Sequence, residues 1–366
     1  MRVGVIGAGV IGLLFARRCA ARQIKVDLFD AEALPNPKGR SVDISRLFRV
    51  VHPQNPELQR LAVQSRAYWL KWDQQSGGGR LRPARCYRCL DTGQAATLAG
   101  IYQQLGLEYQ LYRPAEPSPL DAHYRVDQRL TVLAGQDAYV LNSQLILADL
   151  LRQLDKASSV RRHERCRVHK VGRDPAGNLY LAHDKGLSFY DVVFVATSAP
   201  TLLPEIYPEY FSTKPVLRHQ FFLNVQVEGK GNERHMPPVL DLGDEVGSWV
   251  VPGFEPDCLK ISAASFAFAD EGFRQDIDHY TSLLLSRLKH RPLKVEPYVV
   301  PYYEIPHRAE LDIPYIKQSL FPGVYIVDSC DAGLFKAAPA LVDELCHTVF
   351  QQHGVNFAEP DFQHSF

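Results

Sequence analysis

The sequence has no surplus of charge: 41 Lys and Arg stand against 41 Asp and Glu, for a formal net charge of zero. That balance gives no general attraction to nucleic acid or to an anionic membrane surface. No run of about 18 or more uncharged apolar residues occurs, so no membrane-spanning helix is expected. Internal repeats and low-complexity tracts are absent as well. The seven cysteines are odd in number and scattered. Cys86 and Cys89 form a CxxC, but no second pair completes a zinc site and no thioredoxin-like context surrounds it. They are read as packing thiols, and no metal is expected.

What is present is a globular chain. Hydrophobic residues make up 46% of it, and with zero net charge this excludes intrinsic disorder. Its 366 residues exceed one small core and suit roughly two domains. Val3 to Ala16 is apolar and follows Arg2, as in a signal peptide. Glycines at 4, 7, 9 and 12 and the lack of a cleavage site in frame point instead to a buried strand and tight turn. A cytoplasmic protein is the expectation.

Residues 1–30 read strand, turn, helix, strand: Arg2 to Ile6, a glycine turn, Ile11 to Ala21, then Lys25 to Phe29. Residues 57–72 carry helical spacing, and Gly77-Gly78-Gly79 breaks the chain after them. Asn142 or Ser143 can cap a helix bearing Leu147, Leu150, Leu151 and Leu154. Asp191 to Thr197 is a near-continuous apolar run, as a strand covered on both faces would be. Longer, antiparallel-type strands are expected at 216–227, 247–251 and 259–268, with a helix at about 274–289. Val324 to Val327 reads as another buried strand, and Pro339 to Gln351 as a closing helix. The expected fold class is α/β (α+β). A discontinuous dinucleotide-binding domain would comprise 1–80, 140–214 and 320–366. A mainly antiparallel β-sheet substrate domain would comprise 81–139 and 215–319.

Gly7-Ala8-Gly9-Val10-Ile11-Gly12 is GxGxxG between a strand and a helix. The first glycine permits the tight turn, the second lets backbone approach a pyrophosphate, and the third allows close packing of helix on strand. The helix N-terminus offers N–H groups and partial positive charge to phosphate oxygens. Asp30 ends the second strand at the spacing where a carboxylate accepts from ribose hydroxyls. This motif binds a dinucleotide without separating FAD from NAD.

The segment after Asp30 does separate them. Gly39-Arg40-Ser41-Val42-Asp43-Ile44-Ser45-Arg46-Leu47-Phe48-Arg49 resembles the D-amino-acid oxidase superfamily, most like its monomeric sarcosine oxidase and glycine oxidase branch. Residues 191–199, Cys258 to Ile261, and 326–336 resemble further segments of that family. The resemblance implies FAD, a Rossmann-type domain, and oxidation of an amine or amino acid, free or carrier-bound. Hydride would pass to the flavin, the imine would hydrolyse, and O₂ would become hydrogen peroxide. By position, Arg46 lies near the flavin ring, Arg49 and Lys336 hold a substrate carboxylate, and Lys260 activates oxygen. A planar donor pair suits a carboxylate, and a fixed ammonium suits a superoxide-like anion. The resemblance also implies cofactor contacts from Ala31, Ser45, Val168, Thr197, Gly333, Leu334, Phe335 and Lys336.

The chain departs from that branch in three places. No cysteine stands in Val300-Pro301-Tyr302-Tyr303-Glu304, so FAD is expected to be non-covalent. Ala264 replaces a histidine that follows the lysine. Val42 and Asp43 stand where the branch has small or histidine residues, so sarcosine is not the expected substrate. Three other readings stay open. One is a dehydrogenase of the same fold using a quinone or protein acceptor. Another is a catalytically silent flavin-fold assembly or binding protein, and the last is an NAD-dependent dehydrogenase, disfavoured by the segment after Asp30.

Overall fold

The structure, a computed structural model, describes residues 1–197, 216–228, 236–269, 272–304, 315–318, 322–327 and 333–354. The expected motif residues Ser198, Ala199 and Asp328 to Ala332 lie outside these. Among the described residues, no helix is long and apolar enough to cross a membrane.

Two sheets organise the chain. The first has six strands in the order Ile316–Gln318, Val324–Val327, Val192–Val195, Arg2–Ile6, Lys25–Phe29 and Val160–His163. All neighbours are parallel except the edge strand Ile316–Gln318. Helices Val10–Ala20, Ser143–Asp155 and Ala338–Gln352 pack into one core with it, around Leu13, Phe15, Leu147 and Leu345. A three-stranded sheet, Val168–Arg173, Leu179–His183 and Gly186–Tyr190, covers the other face through Val168, Val171, Leu181 and Tyr190. Cover on both faces explains why Val192–Val195 is buried at every residue.

The second sheet runs Ala267–Phe268, Val216–Val227, Cys258–Ala263, Ser248–Pro252, Val239–Asp241, Leu81–Leu90, Thr131–Leu141 and Arg46–Arg49. Pro292–Glu304 also pairs with Val216–Val227, and Tyr109–Tyr112 with Thr131–Leu141. Side chains alternate across it. Leu223, Val225, Val250, Leu259 and Ile261 enter one core with Tyr87 and Cys89. Phe222, Asn224, Trp249 and Lys260 therefore face the opposite side.

Several expected elements are corrected in detail. The 259–268 strand is two strands, Cys258–Ala263 and Ala267–Phe268, separated by a turn at Ala264 and Ser265. The helix expected at 274–289 runs Ile277–Leu285, behind a short 3-10 turn at Gly272–Asp276. Arg46 and Arg49 sit on a short strand, Arg46–Arg49. The strand Leu81–Leu90 puts Cys86 and Cys89 on opposite faces, three residues apart. Burial pushes both thiols up to about 12, as expected of packing residues.

One buried carboxylate holds the sheet to its surroundings. Asp137 is fully buried. It accepts from Val50 N and Val51 N, both at 3.0 Å, and from the Tyr102 hydroxyl at 2.7 Å. It thus ties the end of strand Arg46–Arg49 and helix Thr92–Gln104 to strand Thr131–Leu141. Asp137→Ala strands two buried N–H groups and a hydroxyl, so unfolding free energy should fall by about 3 kcal/mol or more. Urea denaturation measures this, and a loss below about 1 kcal/mol would show the tie to be dispensable.

Candidate active site

Parallel strands present their C-terminal ends along one edge, and ligands bind in the crevice there. Gly7 follows Arg2–Ile6, Asp30 follows Lys25–Phe29, and Ala196 and Thr197 follow Val192–Val195. With Val327 these residues line a single cavity, whose wall continues through Gly9, Val10, Ile11 and Phe335. Gly7 adopts φ +99°, and a Cβ there would lie 2.8 Å from the Ala196 carbonyl oxygen. A Cβ on Gly12 would lie 2.0 Å from the Gly7 carbonyl oxygen. Only glycine permits the turn and the close seating of the helix on the strand.

The helix Val10–Ala20 has no acid in its first turn and no cap from Gly9. A neutral group stands there instead, the Ser41 hydroxyl, which accepts from Val10 N at 2.9 Å. This leaves the helix dipole available to an anion. Asp30 accepts from Ala8 N at 2.9 Å and from the Asn36 side chain at 2.8 Å. The acid that the motif assigns to ribose also ties the glycine turn to the second strand.

A second cavity, of roughly 570 Å³, is lined by Asp43, Ile44, Arg46, Gln144, Gln220, Phe222, Asn224, Tyr298 and Pro301. Both cavities share Gly39, Arg40 and Val42. The segment between them is pinned from both sides. Ser143 Oγ donates to the Asp43 carbonyl at 2.9 Å, and Ser45 Oγ to the Pro252 carbonyl at 2.7 Å. Arg46 donates to the Arg40 carbonyl, and Arg40 to the Pro301 carbonyl.

Lys260 is buried, and its Nζ stands 2.5 Å from Asp43 Oδ2. Arg46 meets the same oxygen at 3.2 Å. Burial pushes the lysine down to about 8, with Arg46 pushing the same way and Asp43 opposing. Burial alone would raise the Asp43 carboxyl, yet Lys260 and Arg46 outweigh it and hold it below its ordinary value. Phe222 stacks on Tyr298 at 5.1 Å and meets Trp249 edge-on at 5.9 Å, forming an aromatic wall beside this group.

Arg49 donates to the Val51 carbonyl at 2.6 Å. Burial brings its guanidinium down to about 10, and the Arg88 charge adds to that. His52 is held well below its ordinary value by burial first, then by Lys336 and Arg49. Arg49 and Lys336, nearly 290 positions apart in the chain, therefore act on one histidine. The Lys336 carbonyl accepts from Trp69 Nε1 at 2.8 Å, and Phe335 stacks on Trp69 at 5.9 Å.

The other expected cofactor residues are spread more widely. Thr197 and Phe335 line the first cavity, while Leu334 is buried in the adjoining core and Gly333 opens its short 3-10 turn. Ala31 is exposed beside Asp30. Ser45 is buried against Pro252, and Val168 is buried in the three-stranded sheet, so neither side chain is among the cavity linings given above. The side chains of Tyr302 and Tyr303 lie outside the described residues. Asn36, Ser41, Asp43, Asn224 and Tyr298 line the two cavities and are candidate site residues that the motifs did not assign.

The family description "FAD dependent oxidoreductase" matches residues 2–346. The chain belongs to the DAO family of FAD-dependent oxidoreductases. No curated protein matches the sequence. Among solved structures, NikD, an unusual amino acid oxidase essential for nikkomycin biosynthesis, aligns at TM-score 0.73 and 13% identity, covering 93% of each chain. Glycine oxidase from Geobacillus kaustophilus aligns at TM-score 0.71 and 15% identity over 100% of each chain. L-proline dehydrogenase from P. horikoshii aligns at 0.74 and 13%, covering 98% of this chain and 95% of the other. At these identities the likeness is one of fold.

The residues present fit the family's cofactor. The first cavity joins a glycine turn, a helix N-terminus and an acid, which suit a dinucleotide. Arg46 Nε, Asn224 Oδ1 and the Tyr298 hydroxyl are buried without hydrogen-bond partners among the described residues, and all three residues line the second cavity. Unpaired donors and acceptors on one wall suit the polar edge of a flavin ring. Gly12→Ala should open the turn, destabilise the fold by about 1–3 kcal/mol and yield protein depleted in flavin. A variant purified with a full flavin complement would refute this.

Proposed function

We propose that this chain oxidises the C–N bond of an amine or amino acid, free or carrier-bound, with O₂ as acceptor. The observation that carries the amino-acid reading is the concentration of positive charge around His52. Lys336, Arg49 and Arg88 all press on that imidazole. The buried carboxylate nearby, Asp137, accepts from Val50, Val51 and Tyr102 and offsets only part of the charge on Arg49. Such a site favours an anionic ligand, and an amino acid's carboxylate supplies one.

FAD, when bound, supplies a two-electron acceptor. The chain's own part is placement and charge. Arg49 and Lys336 hold the substrate carboxylate and so fix the orientation of its reacting carbon. The surrounding cations disfavour a further positive charge, so the substrate amine is delivered neutral. The substrate gives up a hydride from carbon and a proton from nitrogen, and water hydrolyses the resulting imine. The two electrons and two protons leave as hydrogen peroxide when O₂ is the acceptor. Lys260 supports that choice, because a fixed cation favours the anion formed on one-electron reduction of O₂.

The division of labour between 1–80, 140–214, 320–366 for cofactor and 81–139, 215–319 for substrate belongs to the same proposal. So does non-covalent FAD, given that Pro301 stands where a tethering cysteine would be. A cytoplasmic setting is consistent with six unpaired cysteines among the described residues.

An anaerobic screen of amines and amino acids for flavin bleaching tests the reading directly. Amino acids should bleach the flavin, and their decarboxylated analogues should do so poorly. Bleaching followed by slow reoxidation in air, without peroxide, would favour a quinone or protein acceptor. Arg49→Lys keeps the charge but loses the bidentate fork. With an identified amino acid, the Michaelis constant should rise roughly tenfold to a hundredfold, the equivalent of about 1.5–3 kcal/mol. An unchanged constant would remove Arg49 from the anchor.

A further inference from the structure

We propose that Asp43 is a positioning residue that keeps the buried Lys260 amine protonated and fixes where its ammonium stands. The inference rests on the reading of Lys260 as the cation that serves the oxygen step. Its grounds are geometric. Lys260 sits mid-strand with Val251 and Asn224 as its cross-strand neighbours, and its side chain is 5% exposed. Asp43 Oδ2 reaches its Nζ at 2.5 Å from a segment 217 residues away.

Among the described residues, the groups facing Lys260 leave no other counter-charge. The 40–46 segment brings Asp43 and Arg46. From Pro292–Glu304 comes Tyr298, whose phenol is pushed up by burial and stays neutral. Val216–Val227 contributes Phe222 and Asn224, with Phe222 lying 5.7 Å from Nζ. Ser248–Pro252 contributes Val251 and Trp249, and helix Ser143–Asp155 brings Gln144 to the same cavity. Two cations on one carboxylate leave one positive charge in excess.

Removing the carboxylate does not make the site more positive. A buried lysine facing only Arg46 gives up its proton, because burial and the like charge then act unopposed. Asp43→Asn should therefore lower the Lys260 midpoint by roughly one to three units. Lys260 then turns neutral at neutral pH, and the step that uses its charge is lost.

The test uses flavin-loaded protein labelled with [¹³Cε]lysine, the Lys260 resonance being assigned by its absence in Lys260→Met. In the parent protein Lys260 should titrate near 8. Asp43→Asn should move that midpoint acid, and Asp43→Glu should restore it. Reoxidation of dithionite-reduced protein by O₂, followed across pH, should slow as pH rises through the same midpoint, and earlier in Asp43→Asn. Neither measurement needs an amino-acid substrate, so their failure is separate from failure of the bleaching screen. An unmoved midpoint in Asp43→Asn, or faster reoxidation, overturns the proposal. If that variant does not fold, the parent titration decides: a neutral Lys260 at neutral pH overturns it, and an ammonium supports it.

Discussion

Burying an ammonium beneath a sheet costs several kcal/mol unless a counter-charge is buried with it. The chain meets this requirement by drawing Asp43 across to Lys260. That one contact fixes much else. It brings the 40–46 segment against the second sheet, where Ser45 bonds Pro252 and Arg40 bonds Pro301. The same segment bonds Ser143 on a helix of the first sheet's core, so it spans both halves of the molecule. The wall between the two cavities is this segment, and its charge pairing decides where the wall stands.

The first cavity depends on a simpler constraint. Parallel strands leave their C-terminal ends free of helix backbone, and glycine lets the next helix start close by. Gly12 could carry no side chain without meeting the Gly7 carbonyl. Asp30 then closes the turn by accepting from Ala8 N. An anion-binding helix terminus and a strand-end acid follow from one close approach of backbone to backbone.

This part was legible in the sequence because its signals are local. Strands Arg2–Ile6 and Lys25–Phe29 and the turn between them lie within thirty residues. Val216–Val227 and Val324–Val327 were also legible from their apolar content. Leu81–Leu90 was not, since Arg82, Arg85 and Arg88 interrupt any apolar reading. The strand that carries Arg46 and Arg49 has no apolar alternation of its own to announce it. It is a strand by its pairing with Thr131–Leu141. Asp43 could be seen only as a departure from a pattern, because its partner lies 217 positions away. Asn224 and Tyr298 depend on sheet register, which no local pattern states.

The two groups of cations differ in how they are balanced, and the difference bears on the roles proposed for them. Lys260 and Arg46 share an internal carboxylate, so their charge stands whether or not a ligand is present. A permanent charge suits a step in which a neutral acceptor becomes an anion, since nothing has to arrive to prepare it. Arg88 lowers Arg49 while Asp137 opposes that, and Lys336, Arg49 and Arg88 all lower His52. On the proposed reading, a substrate carboxylate placed there is favoured by these charges. On the proposed reading one cation set serves the acceptor and the other the substrate, and the strand Arg46–Arg49 contributes an arginine to each.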